Sequence, residues 1–386
     1  TGWTIGLFPE PPCPTGTVNT NTTIGGVKVC ALSGVITSDV RLTRGNHYEL
    51  NGRVSVGVDV GANGANPGGV AAELIIESGV TVFGASGQDY LLVNRGSKIF
   101  ANGTRQNPIV FTSEADLRGT QVDPANAIGE WGGVVVLGRA PSNRCISGTP
   151  GTADCETLIE GVTAPEARYG GGVVGDNSGA LRYVQIKYAG FEIAPGNELN
   201  GLTLGGVGNG TTMEYIQVHN GSDDGIEIFG GTVNLKYLVM TGNDDDSFDL
   251  DNGWNGYAQY LIITQRAVGG DNGFELSSVT GVTPATNPTI ANFTLVGSRT
   301  NAWRINTGFI GRFINGVVDY TGNCFRWESS AGNGTPGSYD GVNVDPTFNS
   351  VLFDCSGQLT NDSPNTPAAV QAIAADPNNA FPSTNS

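Results

Sequence analysis

The chain has 386 residues, of which 59 are glycine, 14% are charged and only two are histidine. The 36 acidic residues outnumber the 19 basic ones, and the net charge of −17 argues against a nucleic-acid partner, because phosphate binding needs a basic surface. No apolar run approaches the roughly 20 residues that a membrane-spanning helix needs. The sequence opens at Thr1 without a methionine or an apolar leader, which predicts a processed mature chain.

The first segment, TGWTIGLFPEPPCPTG (1–16), precedes any regular repeat. Trp3, Ile5 and Leu7 alternate with other residues as in a strand, and the prolines that follow stiffen the exit. An uncovered end of a stack of strands can pair with another chain. We therefore expect residues 1–30 to form an N-terminal arm and cap, with Trp3, Ile5 and Leu7 mediating assembly between copies.

Short apolar runs separated by Gly, Asn and Asp fill residues 31–355, as in ELIIESGVTVFG (73–84). From residue 183 onward the runs repeat, and an apolar column recurs at intervals of 32, 22, 23 and 32: Val184, Ile216, Leu238, Leu261 and Phe293. A period near 22, with a ten-residue loop added in the longer intervals, is typical of a parallel β-solenoid. The sequence predicts an all-β, single-domain parallel β-helix of roughly ten to twelve coils.

A polar column accompanies this repeat. Asn or Asp stands directly before each of six alternating segments, at Asn200, Asp224, Asp246, Asn272, Asn301 and Asn323. A tight bend between strands needs a residue in the left-handed region, which Asn and Asp tolerate best after glycine. We interpret the six as a turn ladder whose stacked side chains can also hydrogen-bond along the solenoid axis.

Several motifs between about 73 and 280 resemble those of bacterial secreted or surface-anchored proteins with the right-handed, pectin-lyase-like β-helix. They are NPIVFTS, GEWGGVVVLGRAP, SGALRYVQIKYAGFE, NGLTLGGVG and YIQVHNGSDDGIEIFGGTVN, the last running into LVMTGNDDDSFD. The resemblance implies a right-handed solenoid and a secreted or cell-surface location. Polyuronate lyases share this solenoid and often hold Ca²⁺ on the acids of one sheet, but the resemblance supplies no catalytic residues for this chain.

Acidic residues crowd the repeat. On the outward side of the alternating segments, three acids precede two arginines, in the order Glu227, Asp249, Glu275, Arg304 and Arg326. Neighbouring acids repel one another, and hard cations with oxygen ligands relieve such repulsion. The sequence therefore predicts a calcium site drawn from Asp223, Asp244, Asp245, Asp249, Asp251, Glu227 and Glu275; the alternative is a solvated acidic face.

Six cysteines form three sequence-neighbour pairs, which predict three local disulfides and an oxidising compartment: Cys13 with Cys30, Cys145 with Cys155, and Cys324 with Cys355. The alternative is six buried thiols. The second pair would close an insertion near 140–180. The tail, 356–386, is rich in Pro, Asn and Ala, and we expect it to dock on its own or a neighbouring solenoid.

Three functions remain open at this stage. The first is a non-enzymatic extracellular or bacterial-surface structural protein that assembles head-to-tail into a filament or surface layer. The second is a monomeric surface β-helix that binds a glycan or another partner, and a tyrosine column at Tyr183, Tyr215, Tyr237 and Tyr260 is either a sugar-stacking platform or a structural stack. The third is a calcium-dependent polysaccharide lyase or glycoside hydrolase.

Overall fold

The computed structural model describes residues 11–162, 167–194, 197–279, 281–306, 308–327, 346–357, 360–361 and 373–380. The first part contains one short helix, α1 (Glu114–Arg118), and ten strands: β1 (Val18–Ile24), β2 (Val27–Ile36), β3 (Val40–Leu42), β4 (Asn46–Val56), β5 (Glu73–Ile76), β6 (Thr81–Gly84), β7 (Tyr90–Val93), β8 (Lys98–Asn102), β9 (Ile109–Ser113) and β10 (Gly133–Leu137).

The middle part contains two short hairpins around a long strand: β11 (Thr157–Leu158), β12 (Arg168–Tyr169), β13 (Gly179–Lys187), β14 (Glu192–Ala194) and β15 (Asn197–Glu198). Short and long strands then alternate: β16 (Leu202–Gly205), β17 (Thr212–His219), β18 (Ile226–Phe229), β19 (Asn234–Thr241), β20 (Phe248–Asp251), β21 (Tyr257–Thr264), β22 (Asn272–Leu276), β23 (Thr289–Gly297), β24 (Asn301–Ile305), β25 (Arg312–Tyr320), β26 (Asn323–Trp327), β27 (Thr347–Cys355) and β28 (Thr360–Asn361).

Successive windings pair in parallel and stack as a solenoid with three faces. From β13 onward each winding supplies one long strand, whose two halves lie on faces 1 and 2, and one short strand, which lies on face 3. In the described part of the chain face 2 stacks eleven strands: β2, β4, β6, β9, β13, β17, β19, β21, β23, β25 and β27. The predicted single-domain, right-handed parallel β-helix is confirmed.

The bend between faces 1 and 2 is made by a single residue of each long strand. Seven such residues have left-handed backbone, with φ between 51° and 64°: Tyr183, Tyr215, Tyr237, Tyr260, Asn292, Asn315 and Ser350. This conformation costs a residue with a Cβ about 1–2 kcal/mol. It recurs because the strands pair in parallel and in register, so every long strand must bend at the equivalent residue.

The Asn/Asp ladder occupies a different corner, where the chain passes from face 2 to face 3. Its six members are absent from the left-handed, non-glycine residues of the described chain, so the prediction of a left-handed turn at these positions is wrong. The members are Asn200, Asp224, Asp246, Asn272, Asn301 and Asn323. At this corner Asn220 and Gly242 have left-handed backbone, and the ladder residues serve as hydrogen-bonding side chains.

The buried ladder side chains tie one winding to the next. Oδ1 of Asn200 accepts a hydrogen bond from the amide of Asp224 at 3.2 Å, and Oδ1 of Asp224 accepts one from the amide of Asp246 at 3.0 Å. Oδ1 of Asp246 in turn accepts from the amide of Asn272 at 2.6 Å, and Nδ2 of Asn301 donates to Oδ1 of Asn272 at 2.9 Å. The ladder therefore satisfies backbone amides that the corner would otherwise bury without partners.

Apolar columns fill the interior. On face 3 the inward column is fully buried and becomes aromatic toward the C-terminal end: Leu202, Ile226, Phe248, Phe274, Trp303 and Phe325. The Trp303 ring stacks on those of Phe274 and Phe325, with centroids 5.5 and 5.4 Å apart. Because side chains alternate along a strand, the residue after each member of this column points outward.

An insertion between β10 and β13 covers part of face 3. The outward side chains beneath it are apolar, and Leu92 and Val135 form a second core with Ile159 and Tyr169 of the insertion. Gly205 permits the closest approach, since a Cβ at this position would lie 2.9 Å from Cγ of Tyr169. The insertion thus ends where the outward column of face 3 turns from apolar to charged.

Three disulfides join the pairs that the sequence predicts, Cys13–Cys30, Cys145–Cys155 and Cys324–Cys355. No helix in the described residues has the length and apolarity to cross a membrane.

Segments of the same chain lie against both ends of the stack. Strand β1 pairs antiparallel with β2 at the first winding. At the last winding the amide of Ala380 donates to the carbonyl of Val351, the amide of Phe353 donates to the carbonyl of Ala380, and Ile373 is fully buried. Residues 373–380 therefore pack on their own solenoid. Trp3, Ile5 and Leu7 lie outside the described residues, and their role in assembly stays a prediction.

Candidate functional site

A strip of charged side chains runs along the outside of face 3, beside the insertion. The strand register places Thr203, Glu227, Asp249 and Glu275 opposite one another on successive strands, and two arginines continue the column, Arg304 and Arg326. This is the order that the sequence predicts. We call the column from Glu227 to Arg326 the charged strip.

Glu227 stands at the edge of the insertion and is only 7% exposed. Its Oε2 accepts a hydrogen bond from Nδ2 of the ladder residue Asn200 at 2.5 Å, and the same amide group donates to the hydroxyl of Thr203 at 3.2 Å. The ladder therefore fixes the first carboxyl group of the charged strip in position.

The ladder aspartates lie beside the strip, and together they form three groups of carboxylates. In each group, one oxygen of every member lies within 4.8 Å of the others: Asp223 with Asp224 and Asp245, Asp224 with Glu227 and Asp249, and Asp245 with Asp246 and Asp271. We call these the acidic clusters. Their donors are all oxygen atoms, which are the ligands that Ca²⁺ and other hard cations prefer.

The acidic clusters include four of the seven residues predicted to bind calcium: Asp223, Glu227, Asp245 and Asp249. The other three have different partners within the described residues. Oδ1 of Asp244 lies 3.4 Å from Nη1 of Arg266. Oε2 of Glu275 accepts a hydrogen bond from Nη1 of Arg304 at 2.8 Å. Oδ1 of Asp251 accepts a hydrogen bond from the backbone amide of Asn252 at 2.6 Å.

Sequence reasoning missed three members of the acidic clusters, Asp224, Asp246 and Asp271. The repeat predicts a turn-ladder role for Asp224 and Asp246; each uses one oxygen in the ladder, and its carboxyl group also belongs to the acidic clusters. The adjacent acids in SDDG (222–225) and NDDDS (243–247) were the available signal. In each motif the last aspartate belongs to the ladder, and the aspartate before it joins the acidic clusters.

Burial and like charge raise the pKa values of the outer acids. Burial, followed by the charges of Asp245, Glu198 and Glu160, raises the pKa of Asp223 to about 8. Burial, followed by the charges of Asp271 and Glu275, raises the pKa of Asp245 to about 6. The smaller rise at Asp245 agrees with its greater exposure to water.

The inner acids are affected more strongly. Burial, with repulsion from neighbouring carboxylates as the second cause, holds the pKa values of Asp224, Glu227 and Asp249 well above their usual range. Burial and a hydrogen bond with Glu275 do the same to the pKa of Asp246. Buried acids without enough cationic partners must take up protons or a metal cation.

A second surface lies at the corner between faces 1 and 2. The tyrosine column lines an elongated groove of about 540 Å³ together with Val239 and Ile262, and we call it the tyrosine groove. The four rings, at Tyr183, Tyr215, Tyr237 and Tyr260, stack with centroids 4.3, 4.4 and 5.1 Å apart. The stacking covers the faces between neighbouring rings, so the column presents mainly ring edges, and a sugar could stack only on the outer faces of its end rings, Tyr183 and Tyr260.

A polar cavity of about 810 Å³ lies between the loop at 58–67 and the insertion. Arg95 lines it and is 1% exposed. Its Nε and Nη2 donate to the two carboxylate oxygens of Asp59 at 2.7 and 2.5 Å, and Nη2 also donates to Glu156 at 3.0 Å. Its Nη1 donates to the carbonyl of Gly170 at 3.0 Å. Arg95 therefore joins the solenoid to the insertion.

The family model described as a pectate-lyase-like β-helix domain matches residues 34–384. No curated protein and no solved structure matches the chain.

Proposed function

The chain belongs to the family of pectate-lyase-like β-helix domains, and from this premise we propose that it is an extracellular protein whose acidic clusters bind Ca²⁺ and, through the ion, a saccharide chain. One observation carries the proposal. Asp224, Glu227 and Asp249 bring carboxylate oxygens within 4.8 Å of one another on the outer side of face 3. Such proximity of buried like charges is unfavourable unless protons or a cation neutralise them.

The donors suit calcium in kind and in arrangement. Ca²⁺ takes six to eight oxygen ligands at about 2.3–2.6 Å and accepts water or hydroxyl groups in the positions that the protein leaves open. Asp224, Glu227 and Asp249 would hold the ion on the inner side. Asp223 and Asp245 form a neighbouring cluster closer to solvent. A bound ion would offer its open positions to hydroxyl or carboxylate groups of a ligand.

The charged strip extends this site along the solenoid axis. Successive windings are about 4.8 Å apart, so a chain of sugar units lying along the strip would meet a new side chain at each winding. Beyond the acids the strip continues with Arg304 and Arg326. Guanidinium groups donate hydrogen bonds to hydroxyl and carboxylate oxygens alike.

The extracellular location is supported by the three disulfides, since such bonds persist in oxidising compartments. A bacterial cell surface, as the family resemblance implies, is one such environment.

Calorimetric titration tests the metal site. Chelator-treated protein should release or absorb heat on addition of Ca²⁺, and the double variant Glu227→Gln/Asp249→Asn should bind at least about tenfold more weakly, because each substitution removes a charged ligand. Asp319→Asn is the matched control, since Asp319 is exposed on face 2 and loses the same charge away from the clusters. No heat in the native protein at millimolar Ca²⁺ would contradict the proposal.

The saccharide is tested separately. Polygalacturonate, alginate and a neutral glucan should be presented to the native protein with Ca²⁺ and with a chelator, and binding should be measured by the retardation of the protein in a gel that contains the polysaccharide. We expect retardation that needs Ca²⁺ and fails in the double variant. Calcium binding without retardation by any of the three would leave the metal site but refute this choice of ligands. Appearance of reducing ends or unsaturated products would add catalysis to binding.

Assembly into a filament is a second candidate, and one observation favours it. Among the described strands β1 pairs only with β2, so its other edge is open, and Val18 on it is 67% exposed. An open edge can accept a strand from another copy. Negative-stain microscopy of the native protein should then show fibres, and a protein without residues 1–12 should not form them. Uniform single particles at high concentration would refute this candidate.

A further inference from the structure

The tyrosine groove lies on a different surface from the charged strip and is apolar. Tyr260 and Ile262 are 41% and 49% exposed, although Tyr237 stacks on one face of the Tyr260 ring. The groove extends from the turn between β8 and β9, where Arg105 and Pro108 line it, to the winding of β23, where Asn292 lines it. A surface of this kind is typically covered by a protein segment.

The chain enters the described structure at the same corner. Pro11 lies against Gly45, where a Cβ would be 2.8 Å from Cγ of the proline, and Gly45 is in the turn between β3 and β4. The carbonyl of Pro12 accepts a hydrogen bond from Nδ2 of Asn46 at 3.4 Å. In the stack, this turn stands above the bend that Tyr183 makes in β13, since β4, β6, β9 and β13 are successive strands of face 2.

The preceding residues have the length to reach the groove. Two windings separate β4 from β9, where the groove begins, which is about 10 Å at 4.8 Å per winding. The groove then continues for five windings to β23, or about 24 Å. Ten extended residues span at most about 33–36 Å, so residues 1–10 cover both distances.

The sequence of this segment matches the groove in spacing and in chemistry. At about 3.3 Å per residue, Leu7, Ile5 and Trp3 would lie about 13, 20 and 26 Å from Pro11. All three positions fall within the groove, about 3, 10 and 16 Å from its start. The three side chains share one face of an extended strand, and a large aromatic anchor is the usual centre of such a contact.

We propose that residues 1–10 dock in the tyrosine groove of their own chain, with Trp3, Ile5 and Leu7 against the edges of the stacked rings. Attachment to the solenoid at Pro11 gives the segment an effective concentration in the millimolar range, which favours its own groove over that of another copy. Trp3, Ile5 and Leu7 then have an intramolecular role in place of the assembly role that the sequence suggests.

Nitration of tyrosine by tetranitromethane, read by mass spectrometry, tests the docking. Tyr260 lines the groove, whereas Tyr257 is 64% exposed on the same strand and does not line it, so Tyr257 is the internal control. In the variant Trp3→Ser/Ile5→Ser/Leu7→Ser, Tyr260 should react about tenfold faster than in the native protein, the factor expected for a segment docked in roughly nine-tenths of molecules. The rate at Tyr257 should not change.

Dilution identifies which chain supplies the segment. Protection of Tyr260 that is unchanged between micromolar and nanomolar protein supports docking within one chain, whereas protection that is lost on dilution assigns the segment to another copy and overturns the proposal. Equal reactivity of Tyr260 in the native protein and the triple variant also overturns it. An unchanged melting temperature of the triple variant would show that its faster nitration at Tyr260 reports local exposure and not unfolding.

Discussion

In the presence of a chelator, the melting temperature of the native protein should fall as the pH rises from about 4 to about 8. The cause is the raised pKa of the outer acids, about 8 for Asp223 and about 6 for Asp245, compared with 3.8 for an unperturbed aspartate. Between these values the folded protein binds more protons than the unfolded chain, so the free energy of unfolding decreases as the pH increases. The stabilising contribution is complete below about pH 4 and is lost as the pH passes the folded-state values.

The fall should be on the order of 2–3 °C, because Asp223 is only half-buried and Asp245 is exposed, so screening by water leaves about 2 kcal/mol to be lost. Differential scanning calorimetry at constant ionic strength measures it directly. The double variant Asp223→Asn/Asp245→Asn should show a flatter profile, because two of the titrating carboxyl groups are gone. Asp319→Asn should follow the native profile. A native melting temperature that is constant or rises over this range would show that these carboxyl groups ionise without cost in the folded state.

Calcium should remove most of this pH dependence. A cation that binds only the folded state stabilises it by about 2.7 kcal/mol when its concentration is 100 times its dissociation constant. The ion replaces the protons on the clusters, so its effect should be greatest at pH 8, where the acids are ionised, and smallest at pH 4. Stabilisation of equal size at both pH values would indicate that Ca²⁺ acts elsewhere on the molecule.

The solenoid repeat was predictable from the sequence because a single cause, the parallel stacking of successive windings, produces it. Parallel stacking aligns equivalent side chains of successive windings in one column. Ile216, Leu238 and Leu261 share one buried column, so all three are apolar, and this repeat can be recognised in the sequence. The same register placed Glu227, Asp249 and Glu275 in one outward column. The disulfide pairs followed from their short separations along the chain.

The backbone geometry of the corners was not predictable in the same way. Residue preference assigns left-handed bends to Asn and Asp, but the register places Tyr215 and Tyr237 in them, where ring stacking and the regularity of the coil outweigh the intrinsic preference. Asp224 and Asp246 instead use their side chains to bond backbone amides. Their second role, beside the charged strip, depends on contacts between windings that residue spacing alone does not specify.

The contacts that the insertion makes with the solenoid could not be predicted from the sequence either. Arg95 and Asp59 are 36 residues apart, and Glu156 follows 61 residues after Arg95, without any motif to connect them. Burial of this group depends on how the insertion folds over face 3, a tertiary property. The strongest expected effect on stability comes from this site.

Arg95→Met should lower the free energy of unfolding by about 3–5 kcal/mol, the usual cost of removing one partner from a buried ion pair. Arg95 and Asp59 are 1% and 6% exposed at their side chains, so the substitution leaves the aspartate buried and without its cation. Methionine keeps most of the volume of the arginine stem, so loss of packing contributes little. Burial alone would lower the pKa of Arg95, but the hydrogen bonds and charges of Asp59 and Glu156 raise it, so the native guanidinium is charged.

A second substitution separates the loss of the charge partner from damage to the fold. Arg95→Met/Asp59→Leu removes both buried charges and should recover most of the stability that Arg95→Met loses, because the uncompensated carboxylate is gone. Arg118→Met is the matched control: Arg118 pairs with Glu114 on the surface, where the side chains are 40% and 35% exposed, and its loss should cost no more than about 0.5 kcal/mol. Thermal and urea unfolding of the four proteins measure these differences. If Arg95→Met costs no more than Arg118→Met, water reaches the polar cavity well enough to solvate Asp59, and the attachment of the insertion does not depend on this ion pair.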